Sequence, residues 1–231
     1  FAQTVPRDGR LIIVPHGPLA RLSFATLVDG RGRYLVERAS VQYTPSLTAL
    51  RQMRQTPRKP VAAARAVVIG GPHLPPVLAR DARLPPLPGA RVEAAAVARI
   101  LEGQGMLADV LTGSHASEQA IRERLRPERP GHAAVVHLAA HGVISDAQPM
   151  ASFIALAGAE TGEDNDGMLT AAEVYGLRLD ADLVVLSACR TADGPVTGDG
   201  ISGLTRAFFA AGTRSVIASF WDLPDETSQY L

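Results

Sequence analysis

Two short apolar runs constrain the fold most. Residues 133–139 (AAVVHLA) and 183–187 (LVVLS) are too short for buried helices and almost free of polar side chains. Such runs are strands covered on both faces, the pattern of a parallel sheet. Residues 11–14 (LIIV), 66–70 (AVVIG), 108–111 (ADVL) and 214–220 carry weaker versions of the same signal. Residues 35–44, ended by Pro45, read as a further strand or a hairpin arm.

Helical periods lie between these runs. Val92, Ala95, Ala96 and Ile100 recur at helical spacing within residues 89–102, with Gly103 as the stop. Ser117 is placed to cap a helix beginning at Glu118. Residues 201–211 predict another helix, ended by Gly212. Strands alternating with helices imply an α/β fold with a mostly parallel sheet and helices on both faces. The composition agrees, since 46% of residues are hydrophobic but only 5% are aromatic. Such a core consists largely of Ala, Val and Leu. The polar stretch 51–59 reads as a solvated separator. It divides an N-terminal subregion, residues 1–60, from a core over residues 61–231.

Charge excludes some functions. With 23 basic and 23 acidic residues, no field favours nucleic acid. No apolar run reaches the roughly 18 residues that span a membrane. The one cysteine, Cys189, rules out an internal disulfide and suits a reducing, cytoplasmic compartment.

In an open parallel sheet, reactive groups gather at the carboxyl ends of the strands. Two predicted strands run into such groups: Val135-Val-His137-Leu-Ala-Ala-His141-Gly142 and Leu183-Val-Val-Leu-Ser-Ala-Cys189-Arg-Thr191. On neighbouring strands, His141 and Cys189 would come within hydrogen-bond reach. A thiol titrating near its ordinary value of about 8.5 is mostly inert at neutral pH. An adjacent imidazole removes its proton and later protonates a leaving amine. The backbone N–H groups of Gly142 and Cys189 can together bind an oxyanion. The caspase signature places its His about 50 residues before its Cys, and His141 and Cys189 keep that separation.

Other motifs carry less. His137 reads as structural, and a zinc site from His137, His141 and Cys189 lacks a fourth ligand. The glycine-rich stretch 194–203 matches no phosphate-binding pattern and reads as a loop shaping the site. Glu163-Asp-Asn-Asp-Gly167 with Glu173 has partial calcium-loop spacing. Gly162 falls at the first ligand position, so it reads as a turn. No metal or cofactor is expected.

The strings His137-Leu-Ala-Ala-His141-Gly142 and Leu186-Ser-Ala-Cys189-Arg-Thr191 resemble the two core motifs of CHAT domains. So do Gly198-Asp-Gly-Ile-Ser-Gly203 with the helix after it, and Ser215-Val-Ile-Ala-Ser-Phe-Trp221-Asp222. The resemblance extends upstream to Leu11-Ile-Ile-Val-Pro15 and covers nearly the whole chain. It implies a three-layer α/β/α caspase-hemoglobinase-like fold and a His141–Cys189 endopeptidase. It also implies an association with upstream TPR repeats in bacterial proteins, and final helices beyond Leu231. The family often has Pro where Ser23 stands and an acidic residue where Arg190 stands.

Trp221-Asp222-Leu-Pro-Asp225 resembles a separase segment whose pocket accepts arginine. Asp222, with Asp225 second, is the expected selectivity residue for Arg or Lys, against the alternative that these acids cap a helix. Three readings stay open: a regulated peptidase acting on protein or peptide substrates under an activating partner, a silent interaction module, and a redox sensor built on one thiol.

Overall fold

The computed structural model describes residues 8–55, 64–126, 132–158, 165–188, 196–197, 200–201, 203–221 and 225. In chain order the elements are β1 (Gly9–Ile13), β2 (Ala39–Tyr43), α1 (Leu47–Gln55), β3 (Arg65–Pro72), α2 (Pro76–Asp81), α3 (Pro88–Gly103), β4 (Leu107–Gly113), α4 (Glu118–Arg124) and β5 (Ala133–Ala139). Then follow β6 (Gly142–Val143), β7 (Phe153–Ala155), β8 (Met168–Thr170), α5 (Ala171–Gly176), β9 (Leu183–Ser187), β10 (Val196–Thr197), β11 (Gly200–Ile201), α6 (Leu204–Ala210) and β12 (Val216–Ala218). They form two compact units, Phe1–Pro57 with Val196–Ile201, and Arg58–Pro195 with Ser202–Leu231.

In the first unit, β1 and β2 pair in parallel, from Gly9 opposite Ala39 to Ile13 opposite Tyr43. A hairpin is therefore ruled out for this pair. The connection holds 3-10 turns at Gly17–Arg21, Phe24–Thr26 and Leu35–Glu37, and returns the chain to run in the same direction. The Tyr43 hydroxyl accepts from the Phe24 N–H at 2.8 Å and pins this crossover. Of the polar stretch 51–59 expected to be a separator, residues 51–55 belong to α1, which spans Leu47–Gln55, and the rest lie outside the described residues. Leu, Gln, Arg and Met are good helix formers, and the Ser46 hydroxyl caps the first turn, accepting from the Ala49 N–H at 3.0 Å. β10 and β11 pair antiparallel.

The second unit is built on a five-stranded sheet in the order β12-β9-β5-β3-β4, with every neighbouring pair parallel. Successive side chains of a strand point to opposite faces, and β3 shows the division. Val67 and Ile69 join the main core with Ile121 of α4, Val174 of α5 and Phe208 of α6. Ala66 and Val68 pack with Ala94 of α3. Helices therefore cover both faces, giving the expected three-layer α/β fold. Gly70 permits the α3 contact, because a Cβ there would collide with Ala90 and Ala94. α3 ends at Gly103, its expected stop, and Gly105 in the left-handed region at φ +84° turns the chain away. Residues 72–88, whose many prolines predict a surface loop, instead contain α2, which starts at Pro76 as a proline at N1 allows.

A second, antiparallel sheet β6-β7-β8 follows the end of β5. Its last strand begins at the segment with calcium-loop spacing. Glu163 and Asp164 lie outside the described residues, but the following residues make a turn. The Asp166 carboxylate accepts from the Met168 N–H at 2.8 Å, and Gly167 sits at φ +89°. Glu173 caps α5, accepting from the Thr170 N–H at 2.8 Å. The Glu118 carboxylate on α4 is fully buried and accepts from the Gly167 N–H at 2.8 Å. Burial raises its pKa from 4.5 to about 7, against the pull of that N–H and of Arg122.

Candidate active site

The chain reverses its direction of travel across the sheet at one point. From β3 it passes through α3 to β4 on one side, then returns through α4 to β5 on the other side of β3. In an open α/β sheet, a reversal of this kind is where sites form, outside the carboxyl ends of the strands. His141 lies two residues beyond β5. The loop that leaves β3 and leads to α3 carries Pro85.

These two residues meet. His141 Nε2 lies 2.6 Å from the Pro85 carbonyl oxygen. A carbonyl only accepts, so Nε2 carries the proton and donates. In the neutral ring this leaves Nδ1 as the acceptor, the form a general base requires. The imidazole is half-buried, and the carbonyl fixes its tautomer as well as its orientation.

The next strand across the sheet is β9. Ala139 is paired with Ser187, and His137 with Val185. Neighbouring strands lie about 4.8 Å apart, so the last residues of β5 and β9 stand side by side. Ala188, the next residue after β9, is buried. Cys189, Arg190 and Asp222 lie outside the described residues.

Gly142 begins β6 opposite Ile154. The Ala155 N–H donates to the His141 carbonyl at 2.8 Å. That bond makes Gly142 and Ile154 a non-hydrogen-bonded pair, so the Gly142 N–H points away from β7. The short antiparallel sheet thus holds His141 through its carbonyl and leaves the Gly142 N–H aimed away from β7.

His137 is buried, and its Nε2 lies 2.7 Å from Glu93 Oε1 of α3. The expected structural role fits this contact, which ties β5 to α3. Among the described residues, no group of three His, Cys, Asp or Glu side chains could hold a metal ion. No described helix is long and apolar enough to cross a membrane.

Asp225, considered for substrate binding, sits against the start of α3. Its carboxylate oxygens accept from the Gly89 N–H at 2.7 Å and the Ala90 N–H at 2.9 Å. The capping alternative fits this geometry, although the helix capped is α3 and not one starting at Asp225. Sequence reasoning missed this pair of bonds and the Pro85 carbonyl. The proline-rich composition of residues 72–88 predicted only a surface loop there.

The model of the CHAT domain family matches residues 2–231. The chain is also similar to tetratricopeptide repeat protein 28 of Homo sapiens, 30% identical over 264 residues that take in 97% of this chain. The Mus musculus protein of the same name is 29% identical over 262 residues. The chain spans about a tenth of the length of these curated relatives, 10% in each case. With the family model covering almost every residue, this chain belongs to the CHAT domain family.

Proposed function

We propose that the chain is a cysteine endopeptidase in which His141 activates Cys189. The carrying observation is the His141–Pro85 bond, which leaves the other ring nitrogen to act as a base at the β5 end. The parallel register of β5 and β9 supports the pairing. His141 and Cys189 each lie two residues beyond the matched positions Ala139 and Ser187.

The reaction follows from these groups. His141 takes the Cys189 proton, and the thiolate attacks the scissile carbonyl. The N–H groups of Gly142 and Cys189 stabilise the oxyanion. The imidazolium protonates the departing amine as the thioester forms. Water, deprotonated by His141, then hydrolyses the thioester, releases the acid and regenerates the thiol.

Asp222 is proposed as the acid that favours Arg or Lys before the cleaved bond. We assign this role to Asp222 ahead of Asp225, because both Asp225 oxygens accept hydrogen bonds from α3. Substrates are proteins or peptides, no cofactor is required, and the compartment is a reducing one such as the cytoplasm. Similarity to proteins named for tetratricopeptide repeats supports regulation by such repeats or by a partner that binds them. The same similarity, to proteins named for repeats, also suits a second reading, a silent interaction module.

Cleavage of a mixed peptide library, with Cys189→Ala alongside, separates the two readings. The peptidase predicts cuts after Arg or Lys that vanish in the variant. Cuts that persist in Cys189→Ala would remove Cys189 from the mechanism. Intact peptides, together with an intact library in the full-length protein, would leave the module.

A further inference from the structure

α3 starts with a deficit. The first N–H groups of a helix have no partner within it and need an acceptor from elsewhere. Leu87 occupies the N-cap position and its side chain makes no capping bond. Pro88 follows and has no N–H, so Gly89 and Ala90 hold the first exposed donors. Asp225 meets both, from 136 and 135 residues further along the chain.

The sequence is shaped for this contact. A Cβ on Gly89 would collide with the backbone carbonyl of Asp225, so only glycine admits so close an approach. Gly71, at φ +55°, lets β3 come close to the Leu87 carbonyl and to Arg91. One turn further, Glu93 is bonded to buried His137. The first turn of α3 is therefore held by β3, by β5 and by Asp225.

The short segment before this turn presents the Pro85 carbonyl to His141. It leaves α2 through Arg83, a non-glycine residue in the left-handed region at φ +54°, and it reaches the N-cap two residues after Pro85. Its position depends on where α3 begins. We infer that Asp225 is a positioning residue: by capping α3 it holds the Pro85 carbonyl where it fixes the tautomer of His141. The catalytic consequence rests on the proposed peptidase reading, but the effect on the imidazole does not.

The test measures both separately. Ring ¹⁵N resonances of His141, identified by their absence from the His141→Ala spectrum, report which nitrogen carries the proton. They are recorded for the parent, Asp225→Ala, Asp225→Asn and Gly89→Ala, alongside kcat and KM on matched Arg and neutral peptides. Asp225→Asn keeps one acceptor oxygen, and Gly89→Ala displaces Asp225 while leaving its carboxylate intact. Either one decides the matter if Asp225→Ala does not fold.

The expected result is a strong Nε2–H signature in the parent, lost in Asp225→Ala and Gly89→Ala and partly retained in Asp225→Asn. With it, kcat falls by up to about 100-fold while KM and the Arg preference stay unchanged. An unaltered tautomer in the folded variants would overturn the inference, whatever the rate. A lost Arg preference with an unaltered tautomer would make Asp225 a substrate-binding residue instead. If the parent cleaves nothing, the peptidase reading is what fails, and the ring resonances still decide the role of Asp225.

Discussion

On one face of the central sheet, Val67, Ile69, Val136, Leu138 and Leu186 meet Ile121, Val174 and Phe208. On the other face, Ala66 and Val68 meet Ala94, and His137 meets Glu93. The first face is broad and apolar, and its contribution scales with buried area. The second is narrow and partly polar, with small residues that let α3 approach closely. Its hydrogen bonds are directional, so it specifies a position more sharply than burial does. The loop that fixes His141 belongs to α3. The contrast teaches that one face supplies most of the stability and the other sets the geometry of the site.

The sharpest way to break this comparison is truncation on the apolar face. Phe208→Ala should cost about 3–5 kcal/mol in urea unfolding, while the molecules that remain folded keep their kcat. A large loss of kcat per folded molecule would contradict the division of roles. On the other face, Glu93→Ala leaves buried His137 without this partner and should cost about 1–3 kcal/mol. Here kcat should fall further than the folded fraction explains. Equal falls in both would mean that the pair only stabilises.

Glu118 refines the account of the apolar face, where its carboxyl is fully buried. Its pKa is 4.5 in the unfolded chain and about 7 when folded. Between those values the unfolded chain releases its proton first, so stability falls as pH rises through the window and is greatest below it. Urea titrations at pH 5 and pH 8 should differ by on the order of 2 kcal/mol from this group. Glu118→Gln should remove that difference, and a difference that survives would assign it to other groups. The smallest effect belongs to the exposed Arg80–Asp81 pair, at 2.9 Å with both side chains largely in solvent. Arg80→Ala should shift stability by less than about 0.5 kcal/mol.

The central strands were legible because β5 and β9 are covered on both faces and their apolar runs are unbroken. The Ser117 cap was legible too, and its hydroxyl accepts from the Ala120 N–H at 3.2 Å. His141 stood out because a reactive residue followed a strand with only a short gap. Other features left little trace in the sequence. The charged residues of α1 hid its helical period, and prolines masked α2. Parallel pairing of β1 with β2 depends on the path of the crossover between them, which no local pattern records. The His141 partner is a backbone carbonyl, and backbone atoms are common to every residue type. Asp225 reaches α3 from far along the chain, so its role appears only after folding.

The most direct test of the His141–Cys189 pairing is the rate of Cys189 alkylation by iodoacetamide from pH 5 to 9, in the parent and in His141→Ala. The account predicts fast alkylation at neutral pH in the parent, and a variant that reacts only as pH approaches about 8.5, like a free thiol. Superimposable profiles in the two proteins would contradict it, because His141 would then do nothing to the thiol.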